Sequence, residues 1–348
     1  MMPSNTRFVL LDGSRGIAAL AVVLFHLYSG TNRIFEHFFL FVDFFFVLSG
    51  FVLAHTINKI ETYESVTKFL INRFIRLAPM AYSAVSVVIL MQILVNLKYL
   101  FSGDQIPRGI PLDVSTLFFT FLFLQVFSLN SQLLLYPLWS LSAEWLSNIL
   151  ASVTNKVSKR REVIYFITPG LFLLVVTTLI LQNSFWQNTW NQIGRGLFGF
   201  GLGLGLWRVR NRFKLRARAS LHLIFGVILS GLVLVLNYFS KELALFVSSP
   251  LFATSIWMFY RFETQVTKIW LSSSLKYLGR LSYGIYVWHV VSTNILSVLS
   301  KNLKIEFLEI GYCLGIPRLF AVLLLAMIFT ELTIRFIESP IRIRFKRV

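Results

Sequence analysis

The residues best suited to chemistry in this sequence are ionisable groups embedded in apolar runs. The stretch LDGSRGIAALAVVLFHL carries Asp12, Arg15 and His26. Arg15 and His26 are eleven residues apart, which places them on one face of a helix and roughly 16 Å apart along its axis. They are too distant to touch, whereas Asp12 lies one turn from Arg15 and can neutralise it. A neutral histidine is a suitable general base for a hydroxyl. A carboxylate to orient it is available in the next apolar run, FFLFVDFFFVLSGF, where Asp43 lies near the depth of His26 if the two helices run antiparallel. An unpaired Asp43 among phenylalanines would be costly, so its alternative is a structural partnership with a serine or arginine of a neighbouring helix. Asp12 and Arg15 also read as a snorkelling pair at one membrane interface, with His26 at the other.

Three further segments add polar groups. NRFIRLAP places Arg73 and Arg76 at i and i+3 on a short helix at the membrane surface, where two guanidinium groups suit a phosphate-bearing ligand. Membrane topology alone also explains basic residues there. PLWSLSAEW sets Ser140 and Glu144 one turn apart, and Glu144 is a second carboxylate that could orient His26. LGRLSYGIYVWHV aligns Ser282, Tyr286 and His289 on one stripe, either against substrate or as a hydrogen-bonded seam between helices. Ser49-Gly50 and the run GLFGFGLGLGLW (196–207) are small-residue surfaces for close helix packing. No metal site is expected.

The elements that hold these groups follow from composition. Of 348 residues, 56% are apolar and 14% charged, against about 25% charged in a soluble domain. The apolar residues run the whole length, which excludes a soluble enzyme with a single anchor. The lone cysteine, Cys313, excludes an internal disulfide. Ten stretches are long enough to span a bilayer, near 10–29, 38–57, 77–97, 131–150, 163–181, 191–207, 221–239, 243–260, 280–299 and 317–337. An eleventh, 114–129, is equally apolar. The net charge of +18 decides its status. With ten spans and both termini cytoplasmic, 23 Lys and Arg fall on inner segments and seven on outer ones. An eleventh span would separate KVSKRR (156–161) from RVRNRFKLR (208–216), so 114–129 is expected to be re-entrant or interfacial. The basic excess thus reads as topology rather than nucleic-acid binding. The first run carries no small-residue cleavage site, so no signal peptide is expected. The expected fold is all-α, a polytopic helical bundle forming one domain over 1–348.

Taken together, Arg15 and His26, VDFFFVLSGF (42–51), RFIR (73–76), WSLSAE (139–144), SYGIYVWH (282–289) and the closing ESP (338–340) resemble the acyltransferase 3 family of integral membrane acyltransferases. The resemblance covers almost the whole chain, in family order. It implies ten spans with cytoplasmic ends, and transfer of an acyl group, commonly acetyl from acetyl-CoA, to a hydroxyl of a carbohydrate on or beyond the outer face. O-antigen of lipopolysaccharide and exopolysaccharide are the acceptors it suggests. Arg15 and His26 map onto the family's essential pair, and Arg73 and Arg76 onto its proposed site for the CoA phosphates. Phe41, Ser14 and the lack of Phe-Tyr after Glu144 depart from the family pattern.

The expectations are therefore an O-acetyltransferase of the inner (plasma) membrane, with acyl-CoA as donor substrate and no permanently bound cofactor. Its partners would be a carbohydrate acceptor and membrane lipids, with no nucleic acid. Its catalytic set would be His26, Arg15, Asp43, Asp12 and Glu144, with Arg73, Arg76 and part of 208–218 at the CoA head. Ser140, Ser282, Tyr286 and His289 would line the substrate pocket. A direct transfer with His26 as base and a route through an acylated His26 both remain open. The rival classes are a transporter or flippase for a sugar or lipid-linked saccharide, and an assembly scaffold without chemistry.

Overall fold

The structure, a computed structural model, describes residues 8–102, 112–127, 134–157, 162–180, 189–212, 217–265, 272–305 and 315–346. Cys313, the 158–161 part of KVSKRR and the 213–216 part of the basic 208–218 segment lie outside them. Every regular element among the described residues is helical. In chain order these are α1 (Val9–Tyr28), α2 (Phe41–Ile57), α3 (Tyr63–Ser102), α4 (Val114–Phe121), α5 (Leu138–Val157) and α6 (Glu162–Val175), then α7 (Thr189–Val209), α8 (Ala219–Phe239), α9 (Lys241–Gln265), α10 (Ser272–Leu303), α11 (Ile316–Thr333) and α12 (Ser339–Lys346). A 3-10 turn, Phe35–Leu40, leads into α2, and π-helical turns at Val176–Ile180 and Ile334–Glu338 extend α6 and α11.

Among the described residues seven helices are long and apolar enough to cross a membrane, which makes this a multi-pass membrane protein. The other three expected spans correspond to α5, α7 and α10, which are 20, 21 and 32 residues long but less apolar. For α7 the lower hydropathy has a structural cause. α7 is buried along most of its length, and the polar residues and glycines on it meet protein rather than lipid. The described part of the 114–129 stretch, 114–127, is not a single helix. α4 has eight residues, a rise of about 12 Å, and the chain then turns at Phe123 with φ of 55° into a 3-10 turn at Gln125–Phe127. Arg73 and Arg76 do not sit on a separate surface helix either, because α3 runs unbroken for 40 residues with Pro79 inside it.

The chain divides into two compact units, one comprising Met1–Thr67 and Leu146–Tyr283, the other Lys68–Trp145 and Gly284–Val348. In the first, α2 packs on α7, α7 on α6, and α8 on α9. Its apolar core includes Leu40, Phe44, Val47, Phe51, Phe252 and Ile256. The α2–α7 contact is close because Gly50 faces the backbone of Phe200 and Gly203 faces the backbone of Val47, positions where any Cβ would collide. The small residues of both runs therefore serve packing, as expected from their sequence. In the second unit, α10 meets α11 where Gly284 abuts Thr330, and Trp288 Nε1 donates to Met80 Sδ of α3 at 3.3 Å. Phe74, Tyr82, Phe123 and Trp145 form an aromatic cluster that anchors the turn after α4.

Candidate active site

In the first unit the site residues of α1 are fixed at both ends of the helix. The N-terminal turn of a helix presents unsatisfied N–H groups, and Glu263 of α9 accepts from Leu10 N at 3.1 Å. Gly13, Gly16 and Gly279 let the same end of α1 press against α10, with Gly279 against the Asp12 backbone. This holds Asp12 and Arg15, both partly buried, in a defined orientation. His26 is in the last turn of α1 and is likewise partly buried. Asp43 is in the first turn of α2, so the short connection through Phe35–Leu40 puts both residues at one end of the α1–α2 hairpin. Phe25 and Phe39 pack there with ring centroids 5.9 Å apart.

The Asp43 carboxylate is bonded to two other helices. Its Oδ1 lies 2.8 Å from Arg195 Nε of α7, and its Oδ2 accepts from Ser248 Oγ of α9 at 2.8 Å. Asp43 is 0% and Arg195 2% exposed, so the charges meet out of solvent, with the guanidinium also over the Phe39 ring at 5.5 Å. The serine-and-arginine alternative for Asp43 is the contact the structure contains. Arg195 was not among the expected site residues, although its position inside an apolar run was a legible signal that it needed an acid.

Asn155 of α5 performs a second structural task, donating through Nδ2 to the carbonyls of Ile57 and Ile60 at 2.8 and 3.0 Å. It closes the C-terminal end of α2, where carbonyls lack helical partners. Ser282, in this unit, bonds its own helix through Gly279 O at 2.8 Å and is 1% exposed.

In the second unit Arg73 Nη2 lies 2.7 Å from Glu144 Oε1. Arg73 is buried, whereas Arg76, one turn later, is exposed. One turn before Glu144 on α5, Ser140 Oγ lies 2.6 Å from Tyr286 OH of α10, and both hydroxyls approach Pro137 O, at 3.0 and 3.1 Å. Two hydroxyl protons serve three contacts, so one hydroxyl must accept from the other. Ser140 and Tyr286, both expected to line one substrate pocket, are thus direct partners. His289 is fully buried, and its Nδ1 donates to Tyr286 O at 2.7 Å. Among the described residues no group of three His, Cys, Asp or Glu side chains is placed to hold a metal ion.

A model of the acyltransferase domain of the acyltransferase 3 family matches residues 8–334. The chain belongs to that family. It is 26% identical over 369 residues to a peptidoglycan O-acetyltransferase of Listeria monocytogenes, covering 95% of this chain and 55% of that protein. A 77-residue segment is 48% identical to protein 2 of the picA locus of Rhizobium radiobacter, covering 21% of this chain and 40% of that protein. The chain spans about half the length of the curated relatives it matches. No solved structure matches it.

Proposed function

We propose that this acyltransferase 3 protein is an O-acetyltransferase of the cell's inner membrane, moving an acetyl group from cytoplasmic acetyl-CoA to a hydroxyl of a cell-surface or exported carbohydrate. The observation that carries the reading is the family match along 8–334, supported by a relative named for O-acetylation of peptidoglycan. The 23 to seven distribution of Lys and Arg supports ten spans with both termini cytoplasmic. Under this reading 1–348 works as one acyltransferase domain, and α5, α7 and α10 cross the membrane with protein on most sides.

His26 is the general base. It takes the proton of the acceptor hydroxyl as that oxygen attacks the thioester carbonyl. A C–O bond forms, the C–S bond breaks, and the thiolate leaves with the proton returned by His26 as free CoA. Arg15, balanced by Asp12, positions the acyl-bearing arm. The guanidinium groups at the N-terminal end of α3 hold the phosphates of the donor. Asp43 contributes by fixing α2 against α7 and α9, through Arg195 and Ser248.

The test is covalent. Purified protein with labelled acetyl-CoA and the cell's surface polysaccharide should give an acetyl ester on the polysaccharide, and His26→Ala should abolish it. Movement of unmodified saccharide across vesicles with no ester formed would instead establish a transporter. Wild-type turnover by His26→Ala would overturn the base.

A further inference from the structure

The connection between α1 and α2 carries a polar pair that the transfer chemistry does not use. His37, in the 3-10 turn Phe35–Leu40, is hydrogen-bonded through Nδ1 to Asn237 Nδ2 in the last turn of α8. His37 is 8% and Asn237 2% exposed, and both belong to the first unit. Among the described residues His37 Nε2 and Asn237 Oδ1 are buried without a hydrogen-bond partner. Buried polar groups left unsatisfied cost stability, so two on one pair of side chains point to a ligand that meets them.

The bond between the two side chains fixes what remains to be met. With Asn237 Nδ2 donating, Nδ1 is the bare nitrogen of a neutral ring, so Nε2 carries the proton and Asn237 Oδ1 is left to accept. With the amide turned by 180°, Nδ1–H donates to the amide oxygen, Nε2 becomes an acceptor and the amide nitrogen a donor. Both arrangements leave at least one donor and one acceptor on a neutral pair. A carboxylate or phosphate only accepts and an ammonium group only donates, so each meets half of it. A saccharide carries adjacent hydroxyls, each of which rotates to donate or accept, and it satisfies either arrangement. Tyr238 adds an exposed aromatic ring whose centroid is 6.0 Å from that of the imidazole, at 86° to it. A few fixed polar groups beside aromatic surface is the usual make-up of a small-molecule site.

We infer that His37 and Asn237 bind hydroxyls of the carbohydrate acceptor, beside the sugar that receives the acetyl group. Under the ten-span topology both lie at the outer ends of spans, His37 just before 38–57 and Asn237 near the end of 221–239. The turn that carries His37 packs on the last turns of α1, with Phe39 against Phe25 and Phe35 against Tyr28, ring centroids 5.9 and 5.1 Å apart. The pair is thus held next to the helical turn that carries His26. This rests on the acceptor reading given above and deepens it by naming residues that hold the acceptor. A hydroxyl-bearing lipid headgroup offers the same chemistry, so the test must separate the two sources.

The experiment measures acetyl transfer from labelled acetyl-CoA to the cell's surface polysaccharide by the full-length protein in a neutral detergent without lipid. The double variant His37→Phe/Asn237→Leu makes both side chains apolar at similar size. No buried polar group is then stranded, so the fold should stand, which a melting curve checks. Losing two hydrogen bonds to the acceptor should raise the KM for polysaccharide roughly tenfold or more, with that for acetyl-CoA within about twofold of wild type. His37→Gln, which keeps a donor and an acceptor at its position, should bind polysaccharide better than His37→Phe. An unchanged polysaccharide KM in the double variant overturns the inference and makes the pair a tie between the turn and α8. Equal rises in both KM values report general distortion and overturn it as well. A KM that rises only when phosphatidylglycerol is added overturns it in favour of a lipid headgroup. If the wild-type protein itself forms no ester on polysaccharide, the acceptor reading falls and takes this inference with it, a result distinct from failure of the variants alone.

Discussion

Asp43 and Arg195 are 152 residues apart in sequence and form an ion pair in the interior of the first unit, with Nε 2.8 Å from Oδ1. Each is the counter-charge that lets the other be buried. Breaking a buried pair by removing one partner leaves an uncompensated charge, at a cost of about 3–5 kcal/mol. Asp43→Asn and Arg195→Gln are therefore each expected to lower thermal stability sharply in detergent, and the double variant to lose less than the two losses combined. Strictly additive losses would show that the pair is not coupled. If the double variant regains stability but not acetyl transfer, Asp43 acts in the reaction as well as in the fold.

The α2–α7 interface gives a second stability prediction. An added methyl at Gly50 or Gly203 meets backbone rather than a yielding side-chain end. Overpacking of this kind costs about 1–3 kcal/mol. Gly231 of α8 has nothing within 4 Å of the position a Cβ would take. Gly231→Ala should thus be neutral or stabilising, since alanine is favoured over glycine in a helix by about 1 kcal/mol. Melting temperatures of the three variants in one detergent check the order. Equal effects at Gly50 and Gly231 would contradict the close approach.

Ser140 and Tyr286 can be tested as a pair. Tyr286→Phe removes the hydroxyl 2.6 Å from Ser140 Oγ and leaves the ring in place. A net hydrogen bond of this kind contributes about 1 kcal/mol, and a double-mutant cycle with Ser140→Ala should recover a coupling of that size. If the two hydroxyls also contact the acceptor, Tyr286→Phe should raise the KM for polysaccharide while that for acetyl-CoA is unchanged. A change confined to stability would make the pair a seam between α5 and α10.

What was legible in the sequence follows physical range. The apolar runs gave α1, α2, α8 and α9 within a few residues, because lipid demands a continuous apolar surface. The 114–129 stretch was separated from the spans by charge on distant loops, and its described part holds only the short α4 and the turn at Phe123. Pairings were harder. Asp43 visibly needed a partner, and Arg195 was one of few cations inside an apolar run, yet nothing local tied them together.

The division of labour between Arg73 and Arg76 yields the last prediction. Arg73 is buried and paired with Glu144, the two side chains being 11% and 17% exposed. Arg73→Gln strands a mostly buried carboxylate and should destabilise the protein by about 1–3 kcal/mol, lowering melting temperature together with coenzyme A affinity. Glu144→Gln strands the guanidinium and should lower melting temperature in the same way. Arg76 is exposed and without an ion pair among the described residues, so Arg76→Gln should leave the melting temperature near wild type while weakening coenzyme A binding roughly tenfold. Parallel melting and calorimetry on the three variants separate the effects. Loss of affinity in Arg73→Gln with full stability, and none in Arg76→Gln, would return the phosphate contact to Arg73. It would also mean that the ligand reaches Arg73 only by displacing Glu144 from its guanidinium.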